Sequence, residues 1–266
     1  YIANLFGQEF YGYKGEKYTS YDAIDKCLKN VAENAVNAGV KTIALPFKMS
    51  SDRGGADWDV ILALVKSAFK DTNIIIISDE IYSQLTYGEN PHTPVASLDC
   101  LYERTITING FSKAFSMTGW RLGYCCGPKE ILDQITKIHQ FNIMCAPTTS
   151  QYAAIEALRS CDEDVERMHE EYDRRRRLIV NGFNKIGLTC REPKGAFYSF
   201  PCIESTGLSS EEFCERLLRE KKVAIIPGNA FGESGEGFAR ISYAYSLNTI
   251  KKALDRIEEF VEEIKK

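Results

Sequence analysis

The sequence predicts an α/β fold: a mostly parallel sheet with flanking helices, followed by a smaller C-terminal α+β lobe. Over residues 1–78, apolar segments of strand length alternate with segments of helical periodicity, in the order strand, helix, strand, helix, strand. The last strand contains four consecutive isoleucines, Ile74–Ile77, which is typical of a strand buried on both faces. Such alternation is typical of parallel strands joined by crossover helices.

Local signals place each element of this first part. Residues 1–6 are expected to form a strand, and a helix is expected to begin at Ser20 and to stop near Gly39, since serine caps helix starts and glycine ends helices. Residues 41–47 are predicted as a buried strand. Residues 57–70 are predicted as the next helix because their apolar residues recur at helical spacing.

The later elements follow a loop with Gly88, Pro91 and Pro94. Strands are predicted at 104–109 and 123–126, and helices are expected to dominate 129–184. Within them, the run Arg174–Arg177 is interpreted as a solvated helix face neutralised by Glu166, Glu170 and Glu171. From about residue 185, short strands alternate with amphipathic helices; the strands are predicted at 195–201, 223–226 and 237–243, and the helices at 210–220 and 248–265.

Composition excludes several classes of protein. The net charge of −4 gives no indication of nucleic-acid binding, and the absence of an apolar run near 18 residues predicts no membrane-spanning helix. The nine cysteines include no Cys-x-x-Cys pair and the three histidines are far apart, so no metal site is expected. Free thiols in a reducing cytoplasm are the expectation.

Lys113 is the candidate nucleophile. It follows an apolar strand and precedes Arg121, which stands in a glycine-flanked turn, by eight residues. A lysine amine becomes nucleophilic when desolvation or nearby positive charge favours its neutral form, and an arginine is suited to clamp an anion. A lone lysine after a strand is more often a surface residue, so the interpretation depends on a second segment.

That segment is the end of the isoleucine strand, where Asp79 and Tyr82 follow. Ligands of open α/β sheets bind at the carboxyl ends of the strands. An acid there can hold a proton on a ring nitrogen, and a phenol can donate a hydrogen bond to a ring oxygen. With Lys113 and Arg121, these residues supply what pyridoxal 5'-phosphate requires: a carboxylate, a phenol, an amine and a guanidinium.

The chain resembles the fold-type I pyridoxal-phosphate enzymes, and within them the class I aminotransferases close to the aspartate aminotransferase group. The resemblance covers residues from about 73 to 266, and its motifs are 78–82 (SDEIY), 110–124 (GFSKAFSMTGWRLGY), 127–130 (GPKE), 193–198 (PKGAFY), 227–232 (PGNAFG) and 237–244 (GFARISYA).

The resemblance implies a role for each matching residue. The lysine at Lys113 forms the Schiff base with the cofactor, the acid at Asp79 pairs with its ring nitrogen, and Tyr82 contacts its ring oxygen. The residue at Ile81 packs on the ring face. Of two arginines, Arg121 binds the phosphate and Arg240 the substrate carboxylate. The implied substrates are an amino acid and a 2-oxo acid, and the implied assembly is a homodimer.

The front of the chain departs from this family. Ser51 stands where the family has an asparagine, and Gly110 where it often has a phosphate-binding serine. The family's N-terminal half has no counterpart here, so we expect the activity of this chain alone to be impaired. Residues 1–77 instead resemble the latter half of a macrodomain, the ADP-ribose-binding fold, on segments such as 2–8 (IANLFGQ), 18–24 (YTSYDAI), 44–47 (ALPF) and 54–58 (GGADW).

We therefore divide the chain into three parts: an α/β, macrodomain-like segment completing the sheet (1–77), a cofactor-binding part of the large domain (78–184) and a small C-terminal α+β domain (185–266). A chimera joined near residues 73–77 is the interpretation of the two resemblances. The leading hypothesis is a pyridoxal-phosphate aminotransferase. The alternatives are an ADP-ribose or nucleotide-binding module and an inactive hybrid.

Overall fold

The computed structural model describes residues 20–45, 56–88 and 91–265. These residues fall into two compact units, 20–167 and 168–265. The strand predicted at 1–6, the end of the strand predicted at 41–47, and Ser51 lie outside the described residues. The domain boundaries expected at 77 and 184 stay predictions, since the division into compact units separates residues by packing and not by function.

The first unit contains a four-stranded sheet in the order β1-β2-β3-β4. β1 pairs in parallel with β2 and β2 with β3, whereas β3 and β4 are antiparallel. The strands are β1 Thr42–Leu45, β2 Ile75–Asp79, β3 Thr105–Gly110 and β4 Gly123–Cys126. The expected α/β fold with a mostly parallel sheet is therefore confirmed.

Two capped helices precede and follow β1. Helix α1, Tyr21–Asn37, begins after Ser20, whose hydroxyl accepts a hydrogen bond from the Ala23 N–H. Helix α2, Trp58–Phe69, begins after Asp57, whose carboxylate accepts from the Asp59 N–H. Side-chain caps of this kind satisfy N–H groups that the first helical turn leaves unpaired. The two helices bury one apolar face each, and these faces share a core with β1 and β2.

Helices dominate the chain after β4, as predicted. They follow a one-turn helix, α3 Phe111–Ala114, and comprise α4 Lys129–Asn142, α5 Thr148–Ser160 and α6 Asp162–Ile186. The arginine run lies on α6 but is not a uniform solvated face, because Arg176 is buried and pairs with Asp173 and Glu192. Arg174 and Arg175 pair with Glu170 and Glu171 as predicted, whereas Arg177 pairs with Asp173.

The second unit packs helices against a three-stranded antiparallel sheet of order β5-β7-β6. Its elements are β5 Tyr198–Ser199, α7 Ser210–Arg216, β6 Ile226–Pro227, β7 Ala239–Ser242 and α8 Leu247–Ile264. The strands are shorter than predicted. Ala196 adopts a positive φ before β5, and β6 begins at Ile226 instead of residue 223. The core of this unit lies between the sheet and α6, α7 and α8.

All nine cysteines are described and all are free thiols. Among the described residues, no helix combines the length and apolar character needed to cross a bilayer.

Candidate active site

The candidate site of the first unit lies where β2 and β3 end side by side. The two strands are parallel, and Asp79 is in register with Ile108 at this end. Because side chains alternate along a strand, Ser78 and Glu80 are buried on one face of β2 whereas Asp79 is exposed on the other. Its Oδ1 accepts the Ile81 N–H at 3.2 Å, which starts the turn carrying Ile81 and Tyr82.

Lys113 reaches the same region from β3. It belongs to α3, the single helical turn that begins directly after β3. Its Nζ lies 5.7 Å from the centroid of the Tyr82 ring, within the range of a cation–π contact. The structure thus brings together an amine and a phenol that stand 31 residues apart in the sequence.

Gly110 permits this approach at the start of α3. A Cβ on Gly110 would lie 3.1 Å from the Gly123 Cα, 3.1 Å from the Leu122 carbonyl oxygen and 3.3 Å from Ile81 Cδ1. Any larger residue would push β4 and Ile81 away from the start of α3. This contact places Ile81 beside the segment that carries Lys113.

Arg121 occupies a strained turn between α3 and β4. Its φ of 53° lies in the left-handed region, as does that of Ser116, also 53°. Non-glycine residues in this region cost free energy and are concentrated at functional sites. The Arg121 Nη1 donates to the Thr118 carbonyl oxygen at 3.1 Å, while the guanidinium as a whole stays exposed. The turn therefore holds a cation that can still receive an anion.

Asn109 is a residue of this site that the sequence did not indicate. Its Nδ2 donates to Ser83 Oγ at 3.1 Å, and its Oδ1 accepts the Gly110 N–H at 2.7 Å. It thereby ties the end of β3 to the turn that follows Asp79. An Asn before a Gly is common in loops, so only the fold distinguishes this one.

Glu80 and His92 form a buried, hydrogen-bonded pair that the sequence also did not indicate. Glu80 Oε2 lies 3.0 Å from His92 Nε2, and the two side chains are 3% and 5% exposed. The hydrogen bonds from His92, Val95 and Ser78 hold the pKa of the Glu80 carboxyl below its ordinary value, despite burial, which alone would raise the pKa. The carboxyl is therefore ionised at neutral pH.

Arg240 lies in the second unit, on β7. Its guanidinium carbon stands 4.1 Å from the centroid of the Phe231 ring and 4.6 Å from that of Tyr198. Two aromatic faces so placed fix the plane of the guanidinium. Within the described residues no carboxylate makes an ion pair with Arg240, so its hydrogen-bond donors can serve an external anion.

The donor set of the first unit fits pyridoxal phosphate. It offers an exposed carboxylate, a phenol near an amine, and an exposed guanidinium in one stretch of connected strands and turns. It does not fit a metal, because no group of three or more His, Cys, Asp or Glu side chains converges within the described part of the chain. The roles of Asp79, Ile81, Tyr82, Lys113, Arg121 and Arg240 stay predictions.

Residues 56–257 match the family model of aminotransferase class I and II. This match begins upstream of residue 73, where we expected the resemblance to start. The comparisons give no evidence for the macrodomain-like portion, so that resemblance of residues 1–77 stays a prediction.

Two curated relatives are an aspartate aminotransferase of Pyrococcus abyssi, 50% identical over 197 residues, and aromatic-amino-acid aminotransferase 2 of Thermococcus litoralis, 46% identical over 195. Each alignment covers 73% of this chain and 50% of the relative. The solved structure of an aromatic aminotransferase from Pyrococcus horikoshii is similar with a TM-score of 0.78 at 41% identity, over 85% of this chain and 60% of that one. The chain spans about half the length of the curated relatives it matches.

Proposed function

Because the chain belongs to the class I and II aminotransferase family, we propose that it transfers an amino group from an amino acid to a 2-oxo acid with pyridoxal 5'-phosphate as cofactor. The observation that carries the proposal is the approach of Lys113 Nζ to the Tyr82 ring, 5.7 Å from its centroid, at the carboxyl ends of parallel strands. Ligands of open α/β sheets bind at this end.

Pyridoxal phosphate, when bound, supplies an aldehyde for the amino group and a ring that withdraws electrons from the substrate α-carbon. Asp79 holds a proton on the ring nitrogen, since its carboxylate is exposed on the open face of β2. Tyr82 donates a hydrogen bond from its phenolic O–H to the ring oxygen. Ile81 packs on the ring face, which excludes water from one side.

Lys113 Nζ holds the cofactor between turnovers and moves the proton at the substrate α-carbon. A primary amine can do both because it is a nucleophile and a base once it is neutral. Arg121 pairs with the phosphate from its left-handed turn. Arg240 receives the substrate α-carboxylate as a planar, bidentate donor, and the rings of Phe231 and Tyr198 keep that donor oriented.

The amino donor is proposed from the relatives. Two of them are named for aspartate and for aromatic amino acids, and one further relative is a probable N-acetyl-LL-diaminopimelate aminotransferase. These donors share an α-amino acid group and differ in the side chain. We propose that the α-carboxylate is read by Arg240 and that one of these donors is preferred.

We propose a homodimer, as the family resemblance implies. Helix α4 is amphipathic, yet none of its residues is buried in this chain. Its C-terminal end and the residues just after it present apolar side chains at high exposure, including Phe141 at 94% and Met144 at 78%. An exposed apolar patch of this kind marks an interaction surface. The free thiols are typical of a reducing compartment, and a cytoplasmic location is part of the proposal.

No described feature favours the ADP-ribose-binding alternative. The loop that would follow its predicted strand falls within residues 46–55, which lie outside the described residues. Thermal-shift measurements with ADP-ribose and with pyridoxal phosphate separate the two functions, because a ligand stabilises the state that it binds.

The function is tested by the absorbance of the purified protein with added pyridoxal phosphate, before and after addition of aspartate, phenylalanine or N-acetyl-diaminopimelate. We expect the wild type to show a visible absorbance band that Lys113→Ala lacks. A preferred amino donor should remove this band from the wild-type spectrum. Lys129→Ala is the control, since Lys129 is an exposed lysine on α4. Equal spectra for wild type and Lys113→Ala would contradict the proposal.

A further inference from the structure

The buried pair of Glu80 and His92 takes no part in the proposed chemistry, yet it adjoins Asp79. Glu80 directly follows Asp79 and points to the opposite, buried face of β2. Burying a carboxylate costs several kcal/mol unless hydrogen bonds and an opposite charge compensate, and an apolar replacement is often equally stable. A buried ionised group at this position therefore calls for a reason other than stability.

The contacts of Glu80 show what it fixes. Its Oε1 accepts hydrogen bonds from Ser78 Oγ at 3.0 Å and from the Val95 N–H at 3.1 Å. Its Oε2 lies 3.0 Å from His92 Nε2. One carboxylate thus links the strand residue before Asp79 to two points of the segment 91–95.

The segment 91–95 is itself anchored. Val95 is 1% exposed and packs in the core shared with α1 and α2. Trp58 Nε1, at the start of α2, donates to the Thr93 carbonyl oxygen at 3.4 Å. The Glu80 carboxylate therefore joins the end of β2 to a segment that is anchored in the core of the unit. Its hydrogen bonds hold the backbone on both sides of Asp79.

Asp79 has a weaker hold of its own. Among the described residues, its carboxylate has one hydrogen bond, from the Ile81 N–H at 3.2 Å. The backbone next to it is held by the Glu80 N–H, which donates to the Ile108 carbonyl oxygen at 2.8 Å. A shift of the backbone at residues 78–80 would move the Asp79 carboxylate directly.

We infer that Glu80, through its bonds to Ser78, His92 and Val95, is a positioning residue that holds the Asp79 carboxylate in the direction needed to bind the pyridine nitrogen of the cofactor. This inference rests on the proposed function, because it assigns Asp79 to that nitrogen. Sites of this type depend on a supporting shell of hydrogen bonds as much as on the contacting group.

The test is a double-mutant cycle on cofactor binding. Dissociation constants for pyridoxal phosphate are measured by absorbance titration for the wild type, Glu80→Gln, Asp79→Asn and the double variant. If Glu80 acts through Asp79, Glu80→Gln weakens cofactor binding about tenfold in the wild-type background. In the Asp79→Asn background the same substitution weakens binding less than about threefold. A difference of this size is usual for two residues of one hydrogen-bond network. Glu103→Gln is the matched control, since Glu103 is an exposed glutamate of the same unit.

The outcomes separate the inference from the proposed function. If the wild type does not bind the cofactor, the proposed function fails. If the wild type binds and Glu80→Gln loses the same factor in both backgrounds, Glu80 acts on general stability and the inference is overturned; it is also overturned if Glu80→Gln binds like the wild type. Thermal unfolding of each cofactor-free variant verifies folding. If Glu80→Gln does not fold, Ser78→Ala replaces it in the cycle, with the same coupling expected at smaller size.

Discussion

Arg240 is oriented between two rings in the second unit, at 4.1 Å from the Phe231 centroid and 4.6 Å from the Tyr198 centroid. The stacking leaves the edge of the guanidinium for hydrogen bonds in its own plane, which is the geometry that a carboxylate accepts. The guanidinium is therefore oriented to bind an α-carboxylate. Among the described residues, no protein carboxylate forms an ion pair with it.

We expect Arg240→Lys to raise KM for the amino acid about tenfold or more with a smaller effect on kcat, because hydrogen bonds to charged groups are worth about 1.5–3 kcal/mol and lysine has no planar fork. Steady-state kinetics with the preferred donor measure the change. Arg256→Lys, at an exposed position of α8, is the control. Equal KM values for the two variants would argue against Arg240 as the carboxylate receptor.

Glu80 predicts a specific dependence of stability on pH. Its pKa lies below the ordinary value of 4.5 in the folded protein, so its stabilising contribution is present above the unfolded pKa and is lost as pH falls through the folded pKa. His92 is the titratable group that faces it.

We expect the free energy of unfolding to fall more steeply in the wild type than in Glu80→Gln as the pH drops below 4.5, because only the wild type loses the contribution of the Glu80 carboxylate there. Urea titrations at each pH provide the measurement. Parallel curves for the two proteins would mean that Glu80 is not preferentially ionised in the folded state.

The sequence indicated Asp79, Tyr82 and Lys113 because each comes at the end of a strand whose apolar pattern is visible, and Arg121 because it stands in a glycine-flanked turn. It did not indicate Asn109, Glu80 or His92. The Glu80–His92 and Asn109–Ser83 contacts join residues 12 and 26 positions apart, and such contacts leave no periodic trace in the sequence. The left-handed φ of Arg121 could not be predicted either, because glycine is the residue from which a positive φ is normally inferred.

At the scale of elements, the junction of β3, α3 and β4 determines where Lys113 stands. Gly110 and Gly123 face each other there, and a Cβ on Gly110 would fall 3.1 Å from the Gly123 Cα. A methyl group would have to displace backbone, which cannot rotate away as a flexible side chain can.

We expect Gly110→Ala to lower the free energy of unfolding by about 1–3 kcal/mol, the usual cost of overpacking, and to weaken cofactor binding by moving α3. Gly119→Ala is a matched control, because a Cβ at Gly119 meets no atom within 4 Å. Denaturant titrations of the two variants measure the free energy of unfolding, and absorbance titrations with pyridoxal phosphate measure cofactor binding. If the two variants were equally stable, the close approach of β3 and β4 would not exclude a larger residue at Gly110, and the prediction would be wrong.

Elements with long periodic patterns agreed well with the sequence. Helix α1 begins after Ser20, as the capping signal predicted, and α2 lies within the 57–70 range predicted from apolar spacing, with Asp57 as its cap. Strand β4 occupies 123–126 as predicted. The strands of the second unit were predicted too long. Strands were expected at 195–201 and 237–243, but β5 and β7 begin only after the positive φ of Ala196 and of Gly237. The neutralisation of Arg176 by Glu192 required the fold, since Glu192 lies outside α6.

At the scale of the whole molecule, the chain consists of two compact units and spans about half the length of its curated relatives. The cofactor residues are predicted in the first unit and the carboxylate receptor in the second. The four exposed apolar residues Ile138, Phe141, Ile143 and Met144, the α4 patch, lie at 63–94% exposure.

We expect the wild type to dimerise and Phe141→Asp to raise the dimer dissociation constant at least about tenfold, because a charge replaces an apolar residue at the centre of the α4 patch. Analytical ultracentrifugation over a concentration series measures both. Val36→Asp, at an exposed apolar residue of α1 with 55% exposure, is the control. A monomeric wild type, or equal effects of both substitutions, would contradict the dimer proposal.

The most direct test of the central claim is to reduce the protein with borohydride in the presence of pyridoxal phosphate and to map the modified lysine by mass spectrometry after trypsin digestion. Trypsin cannot cleave at a modified lysine, so the account predicts a cofactor-bearing peptide of residues 105–121 that remains uncut at Lys113. Label spread over exposed lysines such as Lys129 and Lys251, with residues 105–113 released unmodified, would contradict it.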